Sequence, residues 1–246
     1  VKCAGDVDLR VEGRMLEMLA VRGGLPTPRV WASERDLLVM DEVVSDGRCG
    51  EGVEEHAADL LARLHGVESG DGRFGLEEDN FIGALPQQNA WCDGWVEFYR
   101  ERRLRPMLAR ARRGGAVGAG LGGRVEALMA RLADLVPDRP PAGLVHGDVW
   151  SGNVLPHAGR IAAFIDPSPF HAHAEVELAF IAMFGTFGER FFGAYAERAG
   201  WSAADRAGFW RSRRAVYVVY PLLVHCALFG AGYAGQLESA VGEVGL

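Results

Sequence analysis

Three polar residues in the second half of the chain have the types and spacing that magnesium-assisted phosphoryl transfer requires. Asp148 precedes an apolar segment, Asn153 follows five residues later, and Asp166 comes after the next apolar segment, 18 positions beyond Asp148. A loop aspartate can accept the proton of an attacking hydroxyl, and amide and carboxylate oxygens suit Mg²⁺ on nucleotide phosphates. This order predicts Asp148 as the catalytic base and Asn153 and Asp166 as metal ligands.

Short strands and a hairpin must hold these side chains in place. Apolar runs at 144–145, 153–155 and 161–165 predict three β segments, and the hairpin formed by the last two folds Asp166 back beside Asn153. Taken singly, each polar residue of this region could be an ordinary turn residue, because Asp and Asn are common in turns. Their combination is what points to chemistry.

The N-terminal part predicts a small mixed unit, and helical periodicity dominates the rest. Residues 8–21 carry a broad apolar face that predicts a helix, and 29–32 and 36–44 predict a hairpin. A glycine-rich stretch follows, so we expect one unit over 1–44 and a larger, mainly helical unit over 45–246. The helices expected in the larger unit cover 53–67, 90–113, 121–135 and 175 to the C-terminus.

The charge balance argues against two classes of partner. The 246 residues carry a net charge of −7, so a nucleic acid or an anionic membrane would not find the basic face that it needs. The 26 basic residues include a single lysine, Lys2, and the rest are arginines. Four cysteines without a CxxC pair predict reduced thiols and no zinc site. With no long apolar run and no secretory signal, we expect a cytoplasmic protein.

The loop around Asp148 resembles a known catalytic core. His146-Gly147-Asp148, with Asn153 and Asp166, is similar to the core shared by aminoglycoside phosphotransferases, choline kinases and, more distantly, protein kinases. Further segments resemble the fructosamine kinase (ketosamine-3-kinase) family and extend the match from the N-terminus nearly to the C-terminus. These segments are 79–83, 86–89, 95–99, 103–104, 146–153, 165–179 and 228–233.

Two positions depart from the pattern of that family. Phe170-His171 stands in place of its aromatic pair, and Glu177 stands in place of its usual aspartate. A longer carboxylate can reach the same backbone donors if the loop shifts, so we expect the change at Glu177 to be tolerated. His146 is expected to brace the loop rather than to act on the substrate.

The resemblance implies an α+β, protein kinase-like two-lobed fold. Its small lobe would be truncated to a short antiparallel sheet and one helix, and its large, mainly helical lobe would carry the catalytic loop. The resemblance also implies a kinase that uses ATP and Mg²⁺ to phosphorylate the 3-hydroxyl of ketoamines such as fructosamines or ribulosamines, free or on glycated protein lysines, as a deglycation repair step. Trp150 would pack on the sugar beside Asp148.

On the nucleotide side, the resemblance aligns Lys2 with the lysine that holds the α- and β-phosphates. Glu12 aligns with its ion-pair partner, and Glu17 is the competing carboxylate. The Asp41 carbonyl and the Val43 amide align with the adenine contacts. A kinase-like small lobe carries a glycine-rich loop before this lysine, and only one residue precedes Lys2 in the chain as given. We therefore expect weakened nucleotide binding and an exposed sheet edge.

Two alternatives stay open. A phosphotransferase for another hydroxyl acceptor, such as an aminoglycoside or choline, fits the core motif, although Trp150 and the segment 79–89 argue against it. A truncated, non-catalytic remnant that binds the acceptor fits the lack of a glycine-rich loop in the chain as given. The retention of Asp148, Asn153 and Asp166 argues instead for chemistry.

Overall fold

Short antiparallel strands and helices together form the architecture, which confirms the α+β prediction. The computed structural model describes residues 1–3 and 7–246. Its strands are β1 (Lys2–Cys3), β2 (Val30–Ser33), β3 (Leu37–Met40), β4 (Asn80–Ile82), β5 (Leu85–Gln87), β6 (Gly143–Val145), β7 (Val154–His157), β8 (Arg160–Phe164) and β9 (Phe170–Ala172). Its helices are α1 (Leu9–Val21), α2 (Glu51–His65), α3 (Trp95–Phe98), α4 (Arg105–Arg113), α5 (Ala119–Ala130), α6 (Leu132–Leu135), α7 (Glu175–Phe184), α8 (Glu189–Arg198), α9 (Ala203–Gly208), α10 (Arg214–Phe229) and α11 (Ala234–Glu243), with π turns at Tyr99–Leu104 and Phe209–Arg213 and a 3₁₀ turn at Ala231–Tyr233.

The N-terminal sheet packs on helix α1. Its strand order is β1-β3-β2 with antiparallel neighbours, and Lys2 lies opposite Leu38. Asp8 caps α1 by accepting a hydrogen bond from the Arg10 amide at 3.1 Å. Buried leucines from helix and sheet form the small apolar core between them: Leu9, Leu16 and Leu38.

The second strand of this region is shorter than its apolar run predicts. That run, 36–44, predicts a strand up to residue 44, whereas β3 ends at Met40, opposite Val30, the first residue of β2. Past that pair the Asp41 amide still donates to Arg29 O at 3.0 Å, but neither strand extends further. The stretch from there to α2 has no regular structure. The predicted lobe boundary falls in this stretch, and the division into two domains stays a prediction.

A helical core makes up most of the remaining chain, and α2, α7, α8 and α10 contribute much of it. Trp95 is fully buried in this core, where its ring stacks on Phe98 and Tyr99 and its Nε1 donates to Tyr217 Oη at 3.0 Å. Within residues 1–3 and 7–246, the helices are all too short or too polar to cross a membrane.

Three further strand pairs lie around the predicted catalytic loop. The predicted hairpin is confirmed as β7 paired with β8, whereas β6 pairs with β9 and β4 pairs with β5. Sequence periodicity does not predict β4, β5 or β9, because a strand of three residues is too short to show alternation. The loop between β6 and β7 therefore lies beside the segment that follows β8.

Candidate active site

The loop of residues 146–153, called the catalytic loop after its predicted role, is fixed by backbone contacts. Gly147 has a φ of +87°, a left-handed conformation that favours glycine, and a Cβ there would overlap the Ser168 carbonyl. The Ser168 amide donates to His146 O at 2.8 Å. His146 Nδ1 accepts from the Asp148 amide at 3.3 Å, and burial lowers the pKa of this histidine. These contacts agree with the bracing role expected for His146.

Asp148 is half-buried in this loop and is held by Asn153. Asn153 Nδ2 donates to Asp148 Oδ2 at 2.8 Å and to Asp148 O at 2.9 Å. Burial raises the pKa of Asp148 to about 7; the Asn153 hydrogen bond opposes this rise, and the charges of Asp166 and Glu177 add to it. A carboxyl group with a near-neutral pKa suits general base catalysis, because it can take up a proton and release it again.

Glu177, in α7, anchors the backbone of the loop. Its buried carboxylate accepts hydrogen bonds from the Gly147 amide at 2.6 Å and from the His146 amide at 3.3 Å. Burial alone would raise the pKa of Glu177, but the hydrogen bonds and charges around it, chiefly those of His65, outweigh burial and lower the pKa. The longer carboxylate thus reaches backbone donors of the loop, as expected from the sequence.

Two residues that sequence analysis missed extend this anchor into the helical core. His65 Nε2, in α2, lies 2.8 Å from Glu177 Oε2, and His65 Nδ1 lies 2.7 Å from the hydroxyl of Tyr195, in α8. No local motif marks either residue, because their connection to Glu177 depends on how α2, α7 and α8 pack. In the sequence, only the family resemblance of the segment 165–179 points to this anchor, and of its three residues that segment includes Glu177 alone.

Asn153 and Asp166 are brought together by the β7–β8 hairpin. The Ile165 amide donates to Asn153 O at 3.0 Å, so the residue that follows, Asp166, lies at the same end of the hairpin. Asp166 has a φ of +50°, which is uncommon for a residue with a side chain and is often found at functional sites. Because Asn153 uses Nδ2 for both bonds to Asp148, its Oδ1 is left for another partner.

This donor set fits Mg²⁺. Amide and carboxylate oxygens are hard ligands, and Mg²⁺ in phosphoryl-transfer sites takes one or two carboxylates and completes its shell with water and phosphate oxygens. Within the described ranges, no group of three or more His, Cys, Asp or Glu side chains forms a metal site without such additions. A bound Mg²⁺ would therefore be held by Asn153, Asp166 and oxygens of the substrate.

Lys2 joins two carboxylates beside the catalytic loop. Its Nζ lies 2.7 Å from Glu12 Oε2 and 3.0 Å from Asp166 Oδ1, whereas Glu17 lies exposed on another face of α1. Burial opposes the charge of Lys2, but the two carboxylates outweigh it and raise its pKa. The pKa of Glu12 is also raised, because burial and the charge of Asp166 outweigh Lys2. Lys2 and Glu12 form an ion pair, since the lysine stays protonated and the contact is short.

The structure does not bring the two candidate adenine contacts into the cavities around Asp148. Asp41 Oδ1 accepts from Trp31 Nε1 at 2.6 Å, and Val43 lies two residues further along the irregular stretch. Neither residue lines either cavity that contains Asp148. A role for the Asp41 carbonyl and the Val43 amide stays a prediction.

Asp148 lies where two cavities meet. The smaller cavity, of about 110 Å³, is lined by Lys2, Glu12 and Asp166, and the larger one, of about 350 Å³, is mostly apolar and includes Trp150. The β4–β5 hairpin separates them, because its residues Ile82 and Gly83 line both. A polar chamber and an aromatic chamber therefore share one carboxyl group.

A buried amide network holds this hairpin against the loop that carries Asp166. Gln87 Nε2 donates to Ser168 Oγ and to Asn80 Oδ1, both at 2.8 Å, and the Tyr220 hydroxyl donates to Gln87 Oε1 at 2.7 Å. Asn80 and Gln87 lie in segments that sequence analysis noted only as part of the resemblance. The network gives them a place: they fix the hairpin between the two chambers.

Comparison with known proteins decides the family. The sequence model of the fructosamine kinase family matches residues 10–245. The chain belongs to the fructosamine kinase family. This family member is 36% identical over 179 residues to a "probable ketoamine kinase" of Synechocystis, a match covering 72% of this chain and 57% of that protein. It is 34% identical to a chloroplastic protein-ribulosamine 3-kinase of Arabidopsis thaliana, covering 74% and 54% respectively. The match thus spans little more than half of these two relatives.

Solved structures confirm the predicted kinase-like fold. A candidate fructosamine-3-kinase from Thermobifida fusca superimposes on this fructosamine kinase family member with a TM-score of 0.88 and 32% identity, covering 99% of this chain and 82% of that one. An aminoglycoside phosphotransferase in a ternary complex with AMP-PNP and hygromycin B gives a TM-score of 0.58 at 18% identity, with 95% and 82% covered. The second likeness supports the fold alone.

Proposed function

We propose that this protein transfers the γ-phosphoryl group of ATP to the 3-hydroxyl of a ketoamine such as a fructosamine or a ribulosamine. The observation that carries the proposal is the position of Asp148, whose pKa is raised to about 7, at the junction of a polar and an aromatic chamber. Relatives named protein-ribulosamine 3-kinase and ketosamine-3-kinase support both the acceptor class and the position of transfer.

Asp148 is the proposed base. The acceptor hydroxyl would enter from the larger chamber, and as its oxygen attacks the γ-phosphorus, the bond from phosphorus to the bridging oxygen breaks and the proton passes to Asp148. Asn153 orients the carboxyl group through Nδ2, and Glu177 fixes the backbone that carries it. Trp150, on the side of the larger chamber, would pack on the sugar and exclude water.

Lys2 is the proposed phosphate ligand. With a nucleotide bound, Lys2 would keep Glu12 as its partner and exchange Asp166 for phosphate oxygens, which frees Asp166 for Mg²⁺ together with Asn153. Mg²⁺, when bound, would neutralise charge on the phosphates. The Asp41 carbonyl and the Val43 amide are the proposed adenine contacts.

A coupled assay of ATP consumption tests the proposal. The purified chain is incubated with Mg²⁺, ATP and a synthetic ribulosamine, and ³¹P NMR of the product locates the new phosphate ester. Replacement of Asp148 by Asn should lower kcat by about 10² to 10⁴, the usual contribution of a general base. Asp93→Asn, at an exposed aspartate outside both chambers, is the matched control and should retain the activity.

The other outcomes decide between the alternatives. Turnover that survives Asp148→Asn would remove the assignment of the base. Turnover with an aminoglycoside or choline but with no ketoamine would replace the acceptor class. Ketoamine binding without any turnover would favour the non-catalytic remnant. A deglycation role, glycated protein lysines as natural acceptors and a cytoplasmic location remain part of the proposal, and the first two depend on ketoamine turnover in this assay.

A further inference from the structure

A continuous aromatic wall lines part of the larger chamber. We define it as Trp150, Phe184, His225, Phe229 and Tyr233. Its rings follow one another at short centroid distances: Trp150 to Phe184 6.3 Å, Phe184 to His225 5.2 Å, His225 to Phe229 5.5 Å, and His225 to Tyr233 4.8 Å. The catalytic loop, the end of α7 and the end of α10 thus present one surface.

The aromatic wall is more exposed to solvent than a cluster of large apolar side chains with a purely structural role would be. Trp150, Phe184 and Phe229 are 39%, 37% and 65% exposed, although each is a large apolar side chain. Contiguous exposed apolar surface beside a reactive carboxyl group marks a binding site more often than a packing defect. All three side chains line the chamber that contains Asp148.

The charges that line the larger chamber exclude ligands that carry a carboxylate there. Its lining contains two carboxyl groups, Asp148 and Glu177, and no lysine or arginine. His225 does not supply a positive charge, because burial lowers its pKa and outweighs the hydrogen bond that its Nδ1 donates to Pro221 O at 2.7 Å. A ligand carboxylate in this chamber would lose water without gaining a partner, and Asp148 would repel it.

We propose that the aromatic wall binds the amine-derived substituent of the ketoamine, and that the preferred acceptors carry an apolar or aromatic substituent without a carboxylate on the nitrogen. This inference rests on the proposed function, since it takes the sugar hydroxyl to lie at Asp148. The secondary ammonium group of a ketoamine would then lie between the carboxyl group and the ring faces, where aromatic faces attract a cation. A chamber of about 350 Å³ has room for a small sugar and a short substituent, at the lower end of the usual range for ligand sites.

A matched pair of acceptors tests the inference. The ribulosamines of n-butylamine and of 4-aminobutyrate differ only in a terminal methyl group against a carboxylate. We expect kcat/KM to favour the butyl compound by about ten-fold or more, the size of a contact in an apolar pocket. Phe229→Arg should reverse this preference by supplying the missing cation, and its exposed position lets the fold tolerate the change. Trp210→Arg, at an exposed aromatic residue outside the chamber, should leave the preference unchanged.

The outcomes separate this inference from the proposed function. If both compounds are phosphorylated equally well, or the carboxylate is preferred, the inference is wrong and the kinase activity stands. If neither is phosphorylated, calorimetric titration of the two compounds without nucleotide still decides it, because the wall should bind the butyl compound about ten-fold more tightly. A glycated protein lysine carries an apolar stem similar to the butyl group. A higher kcat/KM for a protein glycated with ribose than for the butyl compound would identify proteins as the source of the acceptor.

Discussion

The two sides of Asp148 are built in different ways. On the side of the smaller chamber, Lys2 and Asp166 are 36% and 45% exposed at the side chain and are joined by an ion pair. On the side of the helical core, Glu177 is 1% exposed at the side chain and holds the loop through backbone amides. Exposed ion pairs can be exchanged for substrate at little cost, whereas a buried anchor cannot. The comparison predicts a rigid support for the base and an adaptable site for the phosphates.

The largest effect is expected from removing the buried anchor. Glu177→Ala leaves His65 and two backbone amides without their partner, so the free energy of unfolding should fall by about 3–5 kcal/mol. Glu175→Ala is the matched control: it lies in the same helix and is equally buried, but it pairs with Arg213 at 2.6 Å, outside the loop. Urea unfolding should show a lower free energy of unfolding in both variants. At urea concentrations below the unfolding transition, kcat should fall only for Glu177→Ala. Equal kcat values would contradict the anchoring role.

A smaller loss is expected from the glycine that the loop needs. Gly147→Ala forces a side chain into a left-handed conformation and against the Ser168 carbonyl, which should cost about 2–3 kcal/mol. Gly185→Ala has a similar φ of +58° but meets open space, so it should cost only about 1 kcal/mol. Thermal unfolding of the two variants separates the cost of the left-handed backbone from the cost of the overlap with the Ser168 carbonyl. A similar loss in both would show that the loop moves away from Ser168.

How much of this site could be predicted depended on sequence distance. Asn153 and Asp166 lie at the two ends of one hairpin, so a local pattern was enough to predict that they come together. The β3 strand was predicted too long, because its end depends on where its partner strand begins rather than on its own apolar run. His65, Tyr195 and Tyr220 could not be predicted, since their contacts arise from the packing of distant helices.

Asp148 lies between the two sides, and its carboxylate should support activity while it lowers the stability of the fold. Asp148→Asn removes a charge whose burial raises the pKa to about 7, so the variant should unfold less readily at pH 8, by about 1 kcal/mol for a half-buried group. The gain should shrink as the pH falls from 8 to 5, because the carboxyl group becomes neutral in the folded protein. Thermal unfolding across this range measures it, with Asp93→Asn as control. A loss of stability at pH 8 would show that the ionised carboxylate is favoured by the fold.

The smallest effect on stability is expected on the exposed side. Lys2→Met removes an exposed ion pair with Asp166 and a part-buried one with Glu12, which can take up a proton in response, so the free energy of unfolding should change by only about 1 kcal/mol. Because the pKa of Glu12 is raised by burial, any loss should be larger at pH 8 than at pH 5.

Calorimetric titration of Lys2→Met with Mg²⁺ and a nonhydrolysable ATP analogue should show at least about ten-fold weaker binding, the cost of a lost charge-assisted contact. Lys2→Arg keeps the charge and should retain the stability while binding phosphate less well, because a planar guanidinium fits poorly between the Glu12 carboxylate and a phosphate chain. A loss of several kcal/mol with unchanged nucleotide affinity would make Lys2 a structural residue and would remove the contrast between the two sides.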